Sequence, residues 1–100
     1  MKRIRVSALA EQDLDGIWYY AAKNSGSIDI ADRIIDSIAA AFSLFARVPE
    51  AGTARDEIDP GVRGFPVGSY IIYYRVIGSY IVISRVIHGM RDQMTSYLHE

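Results

Sequence analysis

Tyr70-Ile71-Ile72-Tyr73-Tyr74-Arg75-Val76-Ile77, then Gly78-Ser79, then Tyr80-Ile81-Val82-Ile83-Ser84-Arg85-Val86-Ile87-His88 is the stretch that decides the fold. Two apolar runs rich in β-branched and aromatic residues flank a Gly-Ser pair, the pattern of a tight β-hairpin. A two-residue loop sets Ile77 opposite Tyr80; counting outward, Arg75 faces Val82, Tyr73 faces Ser84 and Ile71 faces Val86. Those side chains share one side of the sheet. The other side carries Tyr70, Ile72, Tyr74 and Val76 opposite Ile87, Arg85, Ile83 and Ile81. This second set is the more uniformly apolar, so it is expected to face the core, leaving Arg75, Tyr73, Tyr80 and Ser84 outward. A slip of one residue would exchange the two sides.

Working back, residues 62–67 read as a third strand, irregular or at an edge because of Pro66, and Gly68-Ser69 turns it into the hairpin. Residues 50–61 are polar and punctuated by Gly52, Pro60 and Gly61, as a loop would be. Before that the apolar period changes from two to that of a helix. Ala31, Ile34, Ile35, Ile38, Phe42 and Phe45 form one stripe of a helix over 28–47, ended by Pro49 and Gly52. Ala10, Leu14, Ile17, Trp18 and Ala21 form another over 8–23, with Ser7 as N-cap. The short Asn24-Ser25-Gly26-Ser27 link makes these two an antiparallel hairpin. Residues 3–7 alternate as a short strand, and Met94, Tyr97 and Leu98 are spaced as a short helix in the tail. The fold class is therefore α+β: an N-terminal strand, then a helical hairpin packed on one face of a three-stranded antiparallel sheet, in one domain over 1–100.

Half of the 100 residues are apolar, rich for so small a domain. Either the core is well filled or some apolar surface is normally covered by a partner. Eleven basic residues against twelve acidic ones give a net charge of −1, which argues against a general nucleic-acid binder. Cysteine is absent, so thiolate and disulfide chemistry are excluded. No apolar run is long enough to span a membrane, and Lys2, Arg3 and Arg5 precede no signal-type segment, so a cytoplasmic protein is expected. The two histidines stand apart from any acidic cluster, so neither a metal nor another cofactor is expected.

His88 with Arg91 can be read two ways. As catalysts they would be a general acid or base and a phosphate clamp; otherwise His88 bonds backbone at a strand exit and Arg91 is solvated. Arg85, placed on the core face, needs a carboxylate mate, and Asp13 or Glu11 can supply a structural ion pair. Trp18, Tyr19 and Tyr20 can stack bases, or pack with their polar tips outward.

The order of elements resembles the RelE/ParE toxins of type II toxin–antitoxin systems, and several motifs resemble the ParE branch. These are Asp13-Leu14 with Ile17-Trp18 and Tyr20; Ala31 with Ile34 through Ile38 and the later Pro49-x-x-Gly52; and Val62-Arg63-x-Phe65-Pro66-Val67-Gly68-x-Tyr70, Tyr74-Arg75-Val76 and Arg85-Val86-Ile87-His88. The resemblance implies inhibition of DNA gyrase by protein contact and neutralisation by a ParD-like antitoxin in a hetero-oligomer. Target contacts are then expected from Tyr73, Arg75, Tyr80, His88 and Arg91, and antitoxin contacts from Tyr19, Ile28, Ile30 and Leu44. RelE nucleases cleave messenger RNA with basic residues on the second and third sheet strands and with basic and aromatic groups after the last strand. Aligned on Tyr70, those positions fall on Ile71, near Val62 and Gly64, near Gly89 and near Thr95, none of which can supply the charge. The alternatives are a ribosome-dependent mRNA interferase using His88 and Arg91, and a degenerate antitoxin-binding module without toxicity.

Overall fold

The computed structural model describes residues 1–98. Its elements are β1 (Arg3–Val6), α1 (Ala8–Ser25), α2 (Ile28–Arg47), β2 (Thr53–Ala54), β3 (Arg63–Val67), β4 (Tyr70–Ile77), β5 (Tyr80–His88) and α3 (Gln93–Leu98). Local chemistry sets the helix ends. The hydroxyls of Ser7 and Ser27 accept the amide hydrogens of Ala10 and Ile30, which capping requires of an N-cap side chain. Gly26 closes α1 in the left-handed region at φ 69°, its N–H on the Ala22 carbonyl. Two-residue turns at Gly68-Ser69 and Gly78-Ser79 join β3, β4 and β5, with φ near 57° at the first turn residue of each. Only glycine takes that conformation without strain, and it matches the twist of the flanking strands.

The sheet has five strands in the order β1-β5-β4-β3-β2. β1 runs parallel to β5, reached by way of the helical hairpin, and β2 adds a two-residue antiparallel edge in the segment expected as loop. Both additions flank the expected meander. The helices cover one face, where Ile72, Tyr74, Ile81, Ile83 and Val86 meet Ala10, Ile17, Ile38, Ala41 and Phe45. Phe45 stacks on the Tyr74 ring at 4.0 Å.

The expected hairpin register holds from the turn to Tyr74 opposite Ile83, then breaks. Ser84 is an extra residue, a β-bulge, so Arg85 faces Tyr73, Val86 faces Ile72 and His88 faces Tyr70. Every side chain beyond it changes face. Val86 and His88 turn toward α1, whereas Arg85 and Ile87 turn away. The physical reason is Arg85: regular pairing would drive a guanidinium into the apolar layer beneath the helices, and the bulge takes it out. The Ser7 hydroxyl, bonded to the Ser84 carbonyl at 2.9 Å, ties the bulge to the start of α1.

The opposite face was expected to be open, and over half its length it is not. Tyr73 is fully buried there with Ile58, Val62 and Ile87, under the 55–62 loop and α3. The loop folds back because Arg75 pairs with Asp59 and bonds the Pro60 carbonyl, and the Asp56 carboxylate accepts the Gly61 N–H. α3 is held by the Tyr73 hydroxyl on Gln93 Oε1 at 2.8 Å and by the Tyr97 ring edge-on to Tyr73.

Candidate functional site

Arg85 and Asp13 are a buried pair. β1 ends at Val6, so the rest of β5 has an unpaired edge, and Asp13 on α1 fills it. Its carboxylate accepts two guanidinium N–H groups at 2.8 and 2.9 Å and the Val86 N–H at 2.9 Å. The same guanidinium donates to the Ser96 and Tyr97 carbonyls of α3. One side chain, 3% exposed, thus joins a helix, a strand edge and the tail. Bidentate geometry and satisfied neighbours are what make a buried ion pair tolerable.

The five residues expected to meet a target do not form one surface. Tyr73 is interior, its hydroxyl pushed toward higher pKa by burial. Arg75 and Tyr80 lie on the open half of the second face near the Gly78 turn. Arg75 is engaged by Asp59, and Tyr80 lies under the Arg5 guanidinium at 4.6 Å. His88 stands eight residues along β5 from Tyr80, roughly 26 Å in an extended strand. The bulge has also turned it to the other face.

There His88 and Arg91 meet the flank of α1. Together with Gln12, Asp13, Gly16, Ile17, Tyr20, Tyr70 and Val86 they line a groove of about 470 Å³. His88 Nδ1 accepts the Met90 N–H at 3.1 Å, so the neutral ring carries its proton on Nε2. Its ring meets Tyr70 edge-on at 5.2 Å. Burial pushes the Tyr70 hydroxyl toward higher pKa, and the nearby Tyr20 adds to it. No cluster of three or more potential metal ligands occurs among the described residues.

The residues expected to meet an antitoxin divide as well. Tyr19, Ile28 and Ile30 are 55%, 62% and 42% exposed around the turn of the helical hairpin. Leu44 is only half-buried and lies fourteen residues beyond Ile30 on α2, about 21 Å along the axis. It belongs to the other end. Trp18 between them is half-buried, its indole N–H on Asp32 Oδ1 at 2.8 Å.

Residues 4–93 match the family model described as the ParE toxin of the type II toxin–antitoxin system, parDE. The chain belongs to this ParE toxin family. It is 34% identical over 88 residues to a Toxin ParE1 of Caulobacter vibrioides, covering 88% of this chain and 90% of that one. To a Toxin ParE1 of Mycobacterium tuberculosis it is 33% identical over 91 residues, covering 90% and 92%. A chain from a chromosomal ParDE system of P. aeruginosa has the same fold, with a TM-score of 0.76 at 24% identity over 88% of this chain and 96% of that one. In this ParE-family chain, Val62, near which a nuclease cation was expected to fall, is 1% exposed in the second apolar cluster, and Ile71, on which another was expected to fall, packs against that cluster. A Cβ added to Gly64 would stand 3.2 Å from the Tyr73 ring.

Four residues of the α1 groove escaped the sequence reading: Gln12, Gly16, Tyr20 as a groove wall, and Tyr70. Gly16 carried the one usable signal, a glycine in the middle of an otherwise regular amphipathic helix.

Proposed function

We propose that this toxin acts in the cytoplasm by binding DNA gyrase, performs no chemistry of its own, and is held inactive by a ParD-like antitoxin. The observation that carries this reading is the apolar cluster of Val62, Ile71, Tyr73 and Ile87. A nuclease of this architecture needs cations on that face, to hold a phosphodiester while its leaving oxygen is protonated. Here the space is filled by apolar side chains, and a Cβ at Gly64 would stand 3.2 Å from the Tyr73 ring. Arg75 and Tyr80, on the open half of the same face, are the pair able to meet a target together. Tyr19, Ile28 and Ile30 offer an amphipathic antitoxin segment an apolar seat at the hairpin turn.

Gyrase supercoiling in the presence of purified, folded, antitoxin-free toxin is the test. Inhibition relieved by the antitoxin is the expected result, and full supercoiling activity at toxin excess overturns the proposal. His88 and Arg91 on one groove favour a second reading, a ribosome-dependent mRNA interferase. Transcript cleavage on translating ribosomes, lost in His88→Ala, would establish that reading instead.

A further inference from the structure

The groove between α1 and the end of β5 has features that the fold itself does not need. Gly16 sits mid-way along α1, where glycine weakens a helix relative to alanine. Nothing lies within 4 Å of the Cβ an alanine would place there. Internal packing therefore does not call for a glycine at this position, and its effect is to leave α1 indented. Gln12, Gly16 and Tyr20, at intervals of four, run along the helix as one stripe with the indentation at its centre. Across the groove stand Tyr70, His88 and Arg91.

The electrostatics of the lining are one-sided. Asp13, its only acid, is taken up by Arg85 and by the Val86 N–H. Arg91 is exposed and bonds to no side chain among the described residues. His88 keeps Nε2 free as a donor, because Nδ1 is occupied by Met90. The groove thus offers one unpaired cation and a donor together with an aromatic-walled dip, Tyr70 of that wall being in ring contact with His88. Tyr20 on its wall is exposed.

We infer that this groove seats a segment of the neutralising antitoxin in which an acidic residue neighbours a bulky apolar one. The carboxylate is held by Arg91 and His88 Nε2, and the apolar side chain drops over Gly16 between Tyr20 and Tyr70. The inference rests on the antitoxin reading above and adds to it a second, chemically distinct contact. A carboxylate held by charge-assisted hydrogen bonds from arginine and an imidazole N–H is directional, whereas an apolar helix on the Tyr19–Ile28–Ile30 patch is not. Partner choice among antitoxins therefore belongs to the groove more than to the patch.

The experiment measures binding of the ParD-like protein encoded beside this toxin's gene, by calorimetry, to wild-type toxin and to Gly16→Leu, Arg91→Glu and Ile77→Ala. Gly16→Leu fills the indentation and Arg91→Glu reverses the charge, and each is expected to weaken binding at least tenfold. Ile77→Ala, at the far end of the sheet, is expected to bind as wild type. The salt dependence seen in wild type should be reduced in Arg91→Gln. Tight wild-type binding with no loss in Gly16→Leu or in Arg91→Glu overturns the inference while the antitoxin reading stands. Loss in only one of the two overturns the acidic-plus-apolar occupant. No binding to wild type overturns both readings. Should Gly16→Leu fail to fold, Gly16→Ala with the surface variant Arg91→Glu decides the question.

Discussion

On the face toward α1 and α2, Ile72, Tyr74, Ile81 and Ile83 meet Ile17, Ile38 and Phe45 with no charged side chain among them. On the opposite face a cluster of four buried apolar residues is ringed by polar fasteners: Arg75 on Asp59, Arg85 on α3, and Tyr73 on Gln93. The first arrangement is non-directional and grows with the area buried. The second depends on a few geometries, each of which fails as a unit. A small sheet can therefore close one face with helices and the other with a loop and six residues of tail, provided that hydrogen bonds replace the missing apolar area.

The largest expected effect is at the link between the faces. Arg85→Ala leaves Asp13 without its partner and two α3 carbonyls without a donor, and should cost about 3–5 kcal/mol by the usual behaviour of broken buried pairs. Urea unfolding gives the magnitude. Amide exchange gives the distribution: α3 should lose protection well before the amides of β4 and α2. A loss below about 1 kcal/mol, or uniform exchange, would mean that the second face is not held in the way described.

Next comes Tyr74, a fully buried side chain of the helix-side core that carries a hydroxyl. Its hydroxyl accepts the Gly52 N–H and donates to the Pro49 carbonyl, both at 2.7 Å. Gly52 itself has no room for a side chain, since a Cβ there would stand 2.7 Å from the Tyr74 ring. Tyr74→Phe keeps the stacking on Phe45 but leaves a buried N–H unpaired, at a cost of about 1–3 kcal/mol in urea unfolding. The pH dependence gives a sharper test. Burial raises the Tyr74 pKa in the folded state, so the unfolded chain ionises first. That stability is complete below the unfolded value near 10.0 and is lost as pH rises through the higher folded value. The gap between wild type and Tyr74→Phe should accordingly narrow above pH 10.0, while a gap constant with pH would remove Tyr74 from the titrating set. Tyr73, also raised by burial, keeps part of the alkaline slope in the variant.

What could be read from the sequence follows the same division. The helix stripes, caps and Gly-Ser turns are local patterns, and the elements they predict are present. The bulge at Ser84 is not a local pattern. It takes Arg85 out of the apolar layer beneath the helices, and the Asp13 that pairs with it lies seventy-two residues away in sequence. Counting along the strand therefore placed Arg85 on the wrong face, whereas Tyr73, on the face expected, is buried because the 55–62 loop and α3 cover it. The groove was hidden for the same reason, because His88 reaches α1 only after the bulge has turned it. Leu44 is half-buried and lies fourteen residues along α2 from Ile30, so it does not share one end of the hairpin with Ile28 and Ile30.

The smallest effect has the opposite sign. Gly16→Ala adds a methyl group to open space and removes a mid-helix glycine, so it should stabilise the fold by about 0.5–1 kcal/mol in urea unfolding. A stabilising change at a position left as glycine separates folding from recognition, since folding alone would favour alanine there. Paired with weaker antitoxin binding in the same variant, it would place the reason for Gly16 outside the molecule. If Gly16→Ala instead destabilises the protein, α1 needs the glycine for its own packing, and the indentation is a consequence of folding rather than a seat for a partner.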